Sequence, residues 1–224
     1  MSDAIAKAAS TDDGAVAEAM TMALEVVVIP VSDVDRALRF YVDLGWRLDL
    51  DFDSGDGYRV IQVTPPGSGC SVIFGSGITM QTPGSFRGAH LVVSDIAAAR
   101  AELVRRGIEV SEPFHDPSGI FHRAGSEGRV AGPNALRKSY ASFFSFSDPD
   151  GNSWTVQEVT VRLSADVTGD EDCFTPELLY AARHPPTLPV QSICEKVGRA
   201  SREAPDCAVR PGTIPGGQAV EPRL

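Results

Sequence analysis

The chain has 224 residues, of which 42% are hydrophobic, and a formal net charge of −10 at pH 7. This length is sufficient to bury the core of one or two domains. The acidic balance, with a sequence pI of about 4.8, disfavours nucleic acid and anionic membrane surfaces as partners, because their phosphates would be repelled. No apolar run approaches the ~20 residues that a membrane-spanning helix requires.

The first residues and the cysteines bear on the compartment. Residues 1–23 are small, polar and acidic, which predicts a frayed extension, and they lack the basic-then-apolar order of a signal peptide. Cys70, Cys173, Cys194 and Cys207 are scattered without C-x-x-C spacing. Free thiols fit this pattern better than disulfides or a zinc knuckle. We therefore expect a cytoplasmic protein.

A strand-and-helix unit occurs twice, since residues 26–45 return as residues 88–107 at a fixed offset of 62 positions. In each copy an apolar, β-branched run precedes a Ser-Asp pair, and Gly45 or Gly107 closes the copy. The run predicts a strand, the Asp is a suitable helix N-cap, and a left-handed glycine commonly ends a helix. The predicted apolar face of the first helix comprises Val34, Ala37, Leu38, Tyr41 and Val42.

Three further strands are predicted after each helix by alternation and turn residues. In the first unit, residues 24–75, they are residues 46–52, 58–64 and 70–74. In the second unit, residues 87–160, they are residues 108–111, 140–147 and 153–160. Each unit therefore has the predicted order βαβββ, and together they form one domain over residues 24–160.

The second unit carries an insertion of about 22 residues, because the offset between repeated positions grows from 62 to 84. The insertion lies within residues 112–139. A loop of this length in a compact unit is commonly functional, and we expect it to fold over the pocket as a lid above His90. Residues 161–224 hold half of the sixteen prolines and predict a largely disordered tail, with a short helix at residues 176–182 as the exception.

The two βαβββ units, the helix entry V-S-D-V-D-R-A-x-x-F-Y and the strand entry D-P-D-G-N-S-W together resemble the vicinal-oxygen-chelate superfamily. That family includes glyoxalase I, extradiol dioxygenases and bleomycin-binding proteins. The resemblance covers residues 24–160 and implies an α+β fold in which each unit forms half a cup and the paired halves enclose one pocket. Because this scaffold hosts lyases, oxygenases, transferases and passive binders, the fold alone does not give the function.

The resemblance also implies where a metal would bind. Enzymes of this family usually hold one divalent metal through His, Glu or Gln on the first and fourth strands of each unit. Carried onto this sequence, the four positions are Val26, Ser71, Gly88 and Thr155. None of them supplies the carboxylate or imidazole donors that such cations favour. We therefore expect no metal and no other cofactor.

Strand alternation predicts which residues line the pocket instead. Positions two residues along from the four ligand positions face the same way, and they are Val28, Ile73, His90 and Gln157. An apolar floor with one imidazole and one amide suits a small organic molecule. His90 is a candidate general base, because an unperturbed imidazole has a pKa of ~6.5. The alternative is a half-buried histidine that is hydrogen-bonded to a carbonyl.

The insertion contributes two further candidates for ligand binding, His115 and His122. Their spacing of seven residues on a Gly- and Pro-rich loop is a weak metal signature. We interpret the loop as a lid whose histidines, or Arg123 or Arg129, contact an anionic ligand; a solvated loop is the alternative. The carboxylates of the D-P-D-G turn, Asp148 and Asp150, are explained by turn chemistry.

Three functions remain open from the sequence. The first is a metal-independent binder of a small organic molecule, with resistance-type sequestration as one role. The second is a glyoxalase- or dioxygenase-like enzyme, either metal-dependent through a shifted site or metal-free with His90 as the base. The third is an interaction module whose Pro-rich tail recruits a partner. A homodimer is open as the state of assembly.

Overall fold

A computed structural model of the chain describes residues 22–163 and 171–184. Most of the predicted N-terminal extension, two of the four cysteines (Cys194 and Cys207) and the greater part of the predicted tail lie outside the described residues. Cys70 and Cys173 are free thiols. Within the described ranges, no helix is both long enough and apolar enough to cross a membrane.

The first unit forms one mixed sheet with a helix packed against it. Its elements are β1 (Val26–Val28), α1 (Val34–Asp43), β2 (Arg47–Asp53), β3 (Arg59–Thr64) and β4 (Ser71–Ser76). The strand order is β1-β4-β3-β2, in which β1 runs parallel to β4 and the other pairs are antiparallel. The predicted βαβββ order is confirmed for this unit.

The second unit forms a five-stranded sheet of the same plan. Its elements are β5 (Ala89–Val93), α2 (Ile96–Arg105), β6 (Phe114–His115), β7 (Val130–Ala131), β8 (Ser142–Ser147) and β9 (Ser153–Glu158). The strand order is β5-β9-β8-β6-β7, with β5 parallel to β9. The predicted α+β fold is therefore confirmed.

The second strand of the second unit is not where the sequence predicted it. Residues 108–111 make only an isolated bridge between Val110 and Phe146, and the insertion supplies β6 and β7 instead. The hydroxyl of Ser111 accepts from the backbone N–H of Ser145 at 2.9 Å, so a side chain replaces a ladder bond there. Pro113 then removes a backbone donor, which confines regular pairing to the residues that follow.

Both predicted helix caps are present. The carboxylate of Asp33 accepts from the N–H of Arg36 at 2.9 Å, and that of Asp95 accepts from the N–H of Ala98 at the same distance. Gly45 and Gly107 follow the helices with φ of +85° and +79°, a region that disfavours side chains.

The buried stripe of α1 is narrower than the predicted apolar face. Ala37 and Tyr41 are buried, but Val42 is 43% exposed. Its repeat Val104 is likewise 50% exposed, so the error recurs in both copies. In each helix this valine is the penultimate residue.

One hydrophobic core joins the two units, and α1 lies at its centre. The ring of Tyr41 lies 4.8 Å from Trp46, 5.5 Å from Phe74 and 6.2 Å from Trp154 of the second unit. The side chains that build the core come from one face of each sheet, its inner face. Within a single chain, the opposite or outer faces therefore point away from the shared core.

Part of the predicted disordered tail is ordered. Residues 171–173 form a short 3₁₀ turn and Pro176–Arg183 forms α3, which confirms the short helix predicted there. Phe174 and Leu178 are buried, and the N–H of Ser139 donates to the carbonyl of Cys173 at 2.7 Å. The hydroxyl of Thr175 donates to the carbonyl of Ser118. Phe174 and Leu178, four residues apart, thus bury one apolar side of this segment, and the two hydrogen bonds attach it to the insertion.

Candidate functional site

His90 projects onto the outer face of the second sheet, because its neighbours Ala89 and Leu91 pack against the core. Two rings of the insertion lie against it: the ring centroids of Phe121 and His122 are 4.9 and 5.9 Å away. Phe143 of β8 lies 6.4 Å from His90 and 5.1 Å from His122. His90 thus lies beneath the insertion, as predicted. We call these four side chains the His90 cluster.

The amide of Gln157 orients the imidazole of His90. Gln157 is buried on β9, and its Nε2 donates to the carbonyl of Tyr140 at 2.9 Å, so Oε1 is the atom left for His90. Burial lowers the pKa of His90, a hydrogen bond with Gln157 raises it, and nearby His122 lowers it; the net pKa is below the usual range. Nδ1 of His90 is buried without a hydrogen-bond partner in the described part of the chain. The lowered pKa favours the neutral form of His90, and Nδ1 is the ring nitrogen that has no partner among the described residues.

Tyr140 is a site residue that the sequence did not reveal. Its φ of +69° is unusual for a residue other than glycine and costs about 1–2 kcal/mol. The conformation is held by an N–H donated to the carbonyl of Glu158 at 2.8 Å and by the N–H of Leu163, which donates to the phenol oxygen at 3.0 Å. The carbonyl of Tyr140 is thereby fixed against Gln157. No local sequence pattern marks such a conformation at a tyrosine.

Two arginines of the insertion, Arg123 and Arg129, already contact other side chains. Arg123 pairs with Glu127 at 2.5 Å on an exposed surface. The guanidinium of Arg129 lies 4.0 Å above the ring of Phe114, and its Nη2 is 3.4 Å from Nδ1 of His122. Of the two, only Arg129 borders the His90 cluster, so contact of Arg123 with an anionic ligand finds no support in this arrangement.

His115, the other candidate of the insertion, does not join the His90 cluster. It pairs in register with Ser142, whereas its neighbour Phe114 pairs with Phe143 on the outer face. Because side chains alternate along a strand, His115 projects to the opposite side. Its Nδ1 lies 2.8 Å from the carbonyl of Gly132, which anchors β7.

The outer face of the first sheet is mostly apolar. Val28, Ile73 and Gln62 lie side by side in register across β1, β4 and β3, and Leu50 of β2 continues the row. Val28, Leu50 and the neighbouring Phe52 are 39%, 44% and 50% exposed. The structure thus brings the predicted residues Val28 and Ile73 together on the first sheet and His90 and Gln157 together on the second.

A chain of hydrogen bonds runs beside that apolar row on the same face of the sheet. Nε2 of Gln62 lies 3.1 Å from Oγ of Ser71, which lies 2.7 Å from Oγ1 of Thr64. Thr64 bonds to Oδ2 of Asp49, and Nε of Arg47 donates to Oδ1 of the same carboxylate at 2.5 Å. The sequence alone does not reveal this relay, since its members are spread over β2, β3 and β4 and only the register brings them together.

The four positions that would hold the family's metal do not fit one. Val26 and Ser71 are paired in register, and Thr155 pairs with His90, two residues along from Gly88. Their side chains offer at most two hydroxyls, and that of Ser71 is committed to the relay. Among residues 22–163 and 171–184, no group of three or more His, Cys, Asp or Glu side chains is placed to hold a metal ion.

His90 also borders two clefts. One, of about 360 Å³, is lined by apolar side chains such as Val27, Val72 and Trp154 together with the thiol-bearing Cys70. The other, of about 420 Å³, continues past Pro65 and Leu91 toward Arg162. The two clefts share Pro65, Ser68, His90 and Leu91 as lining residues.

These features define a class of protein: a duplicated βαβββ chain with two mixed sheets and outer faces of apolar and hydrogen-bonding side chains. The chain belongs to the Glyoxalase/Bleomycin resistance protein/Dioxygenase superfamily, whose sequence profile matches residues 23–156. A search of curated proteins found no match.

Solved structures resemble the same part of the chain. One is TnmS3, an antibiotic binding protein from Streptomyces sp. CB03234, with 29% identity over 63% of this chain and 99% of that one and a TM-score of 0.47. Another is a glyoxalase/bleomycin resistance protein from the same organism, with 30% identity, coverage of 61% and 100%, and a TM-score of 0.44. A third, a superfamily member from Sphaerobacter thermophilus, has 28% identity, coverage of 62% and 99%, and a TM-score of 0.46.

Proposed function

We propose that the protein binds a small organic molecule on its outer faces without a metal ion. The observation that supports this proposal most strongly is the first outer face, where Val28, Leu50 and Phe52 are exposed in one apolar surface around the single amide of Gln62. Apolar walls with a few placed polar groups are typical of small-molecule sites, and soluble proteins rarely leave such a surface exposed without a use. The four positions at which this family usually binds a metal carry no carboxylate or imidazole here, and this supports binding without a cation.

Two copies of the chain complete the pocket in this proposal. The first outer face points away from the shared core and leaves Val28, Leu50 and Phe52 exposed, so a second copy of the chain can cover it. β1 and β5 are edge strands, and an unpaired edge favours association with a second chain. Because the two units repeat one plan, a two-fold axis can bring the first outer face of one copy against the second outer face of the other.

Sedimentation velocity tests this assembly with a matched pair of variants. Val28 on the first outer face and Val42 on α1 are 39% and 43% exposed, so both accept Asp without direct burial of its charge. We expect Val28→Asp to convert a dimer to monomer and Val42→Asp to leave the dimer unchanged. A wild-type monomer, or equal effects of the two variants, would contradict the two-copy pocket.

An enzymatic role is the second candidate function, and the unpartnered Nδ1 of His90 is the observation that favours it. A half-buried histidine whose pKa is lowered by burial is suited to accept a proton from a bound molecule. The third alternative, recruitment through the Pro-rich tail, concerns mainly residues outside the described ranges and stays a prediction.

Equilibrium dialysis against a panel of planar aromatic natural products, antibiotics included, tests binding and separates it from catalysis. We expect a compound to be retained by the protein and recovered with unchanged mass after denaturation, as sequestration of the resistance type requires. Chemical conversion that His90→Gln abolishes would establish the enzymatic role instead. Retention that His90→Ala and Val28→Asp leave unchanged would place binding elsewhere and contradict the proposal.

A further inference from the structure

The relay on the first outer face ends in the carboxylate of Asp49. This carboxylate fixes the direction in which the hydrogen bonds of the relay are donated. Asp49 accepts from Nε of Arg47 and from the hydroxyl of Thr64. Arg47, followed by Thr64, holds the pKa of Asp49 below its usual range, so the side chain is ionised at neutral pH. An ionised carboxylate only accepts hydrogen bonds. The single hydroxyl proton of Thr64 must therefore point to Asp49.

The remaining proton positions follow from this first one. Because the proton of Thr64 is used, the 2.7 Å contact between the Thr64 and Ser71 oxygens requires the proton of Ser71. Ser71 then has only a lone pair left for Gln62, whose amide must present its N–H side at 3.1 Å. The amide orientation is thereby determined by chemistry, and Oε1 of Gln62 faces away from the relay.

The surroundings of Gln62 make this orientation consequential. Thr64 and Ser71 are 6% and 7% exposed, so water has little access to the bonds that lock the amide. Gln62 itself is half-buried between Ile73 and Leu50, in an otherwise apolar row. A fixed carbonyl oxygen among apolar side chains favours a ligand that brings a donor and disfavours one that does not.

We propose that Oε1 of Gln62 is a specificity-determining acceptor for an N–H or O–H group of an apolar ligand, and that Asp49 and Thr64 are positioning residues that hold it in that role. This inference rests on the proposed function, because it concerns the ligand of the first outer face. It assigns the ligand class as apolar molecules that carry a hydrogen-bond donor.

Indole and benzofuran form a suitable pair of probes, since they share shape and size but only indole has an N–H donor. Each is titrated into full-length, methyl-labelled protein, and the methyl resonances of Ile73 report binding at this face. We expect the wild-type protein to bind indole about three- to tenfold more tightly than benzofuran, the range that one neutral hydrogen bond provides. Gln62→Leu should abolish this preference, whereas Gln81→Leu, at an exposed loop position, should preserve it.

Asp49→Asn tests the relay without removing Gln62. Arg47 would still donate to the carbonyl of the new amide, whose NH₂ would then donate to Thr64; Thr64 would donate to Ser71, and Ser71 to Oε1 of Gln62. The Gln62 amide would turn over, and the preference for indole should vanish although the acceptor residue is intact. Thr64→Ser keeps every hydroxyl and should retain the preference. Side-chain amide resonances of Gln62 should shift in Asp49→Asn and not in Thr64→Ser, even without a probe.

The outcomes separate this inference from the proposed function. Equal affinity for both probes in the wild-type protein, with Ile73 perturbed, would overturn the acceptor role of Gln62 and leave small-molecule binding intact. An unchanged preference in Asp49→Asn would overturn the positioning relay. If neither probe perturbs Ile73 at any concentration, both the inference and the assignment of this face as a binding site are contradicted.

Discussion

The phenol of Tyr41, in the first unit, donates to Oδ2 of Asp148, in the D-P-D-G turn of the second unit, at 2.9 Å. The same carboxylate accepts from the backbone of Asn152 at 2.9 Å, and both groups are buried. Turn chemistry therefore explains the contact of Asp148 with Asn152 but not its contact with Tyr41. The aspartate that closes the turn also binds one repeat to the other.

Tyr41→Phe should destabilise the protein by about 1–3 kcal/mol, because it leaves buried polar groups with fewer partners. Nε1 of Trp154 donates to the phenol oxygen at 3.1 Å and would lose its acceptor. Urea unfolding followed by tryptophan fluorescence measures the change. Tyr58→Phe, at a residue that is 44% exposed, is the control and should alter stability little. Equal effects of the two variants would contradict a bridging role for Tyr41.

Gly119→Ala and Gly125→Ala should differ although both glycines have a positive φ, of +63° and +70°. A Cβ at Gly119 would lie 2.7 Å from the side chain of Thr175, whereas one at Gly125 meets nothing within 4 Å. Both variants bear the backbone cost of the left-handed region, and only the first displaces the segment that holds α3. Thermal melting should show a larger loss for Gly119→Ala. A loss confined to Gly125→Ala would contradict the packing of α3 on the insertion.

Leu178→Ala should cost about 2 kcal/mol or more, since the side chain is buried beneath α3. Leu136→Ala removes the same atoms from a residue that is 77% exposed and should cost little. This pair tests whether the ordered segment near the C-terminus contributes to the stability of the domain, in contrast to the sequence-based boundary at residue 160. Equal free energies of unfolding for the two variants would show that the segment adds no stability, as the predicted domain boundary at residue 160 implies.

The pH dependence of stability should carry a signature of His90. Burial lowers its pKa in the folded state, so below about pH 6.5 the unfolded chain takes up a proton that the folded protein does not. This contribution to the free energy of unfolding is complete above that pH and is lost as the pH falls toward the lowered pKa. His90→Gln should therefore lose less stability on acidification than the wild-type protein. A parallel loss in both proteins would show that the imidazole is not desolvated.

The sequence predicted most strongly those features that depend on local order. Asp33 and Asp95 cap helices, Gly45 and Gly107 end them, and each follows from the residue type at its place in the repeat. The direction of His90 also followed, because alternation along a strand needs no knowledge of its neighbours. These features depend on residues that are close together in the chain.

The features that sequence analysis missed depend on contacts between distant residues. The relay to Gln62 exists because a register shift between Leu48 and Leu50 brings Asp49 to Thr64. The position of the insertion depends on a strained Tyr140 and on α3, which packs from outside the repeats. Likewise, the direction of the outer faces follows from the core around Tyr41, which no periodicity within one unit could reveal.

The most direct test of small-molecule binding on the outer faces compares two isoleucines of one sheet. Ile73 lies on the outer face of the first sheet and Ile61, fully buried, on the inner face. With the compound that dialysis retains most strongly, methyl NMR should show saturable shifts of Ile73 and Val28 while Ile61 stays in place. Shifts of Ile61 without Ile73, or saturable binding that leaves Val28, Ile73 and the His90 cluster unperturbed, would contradict the account.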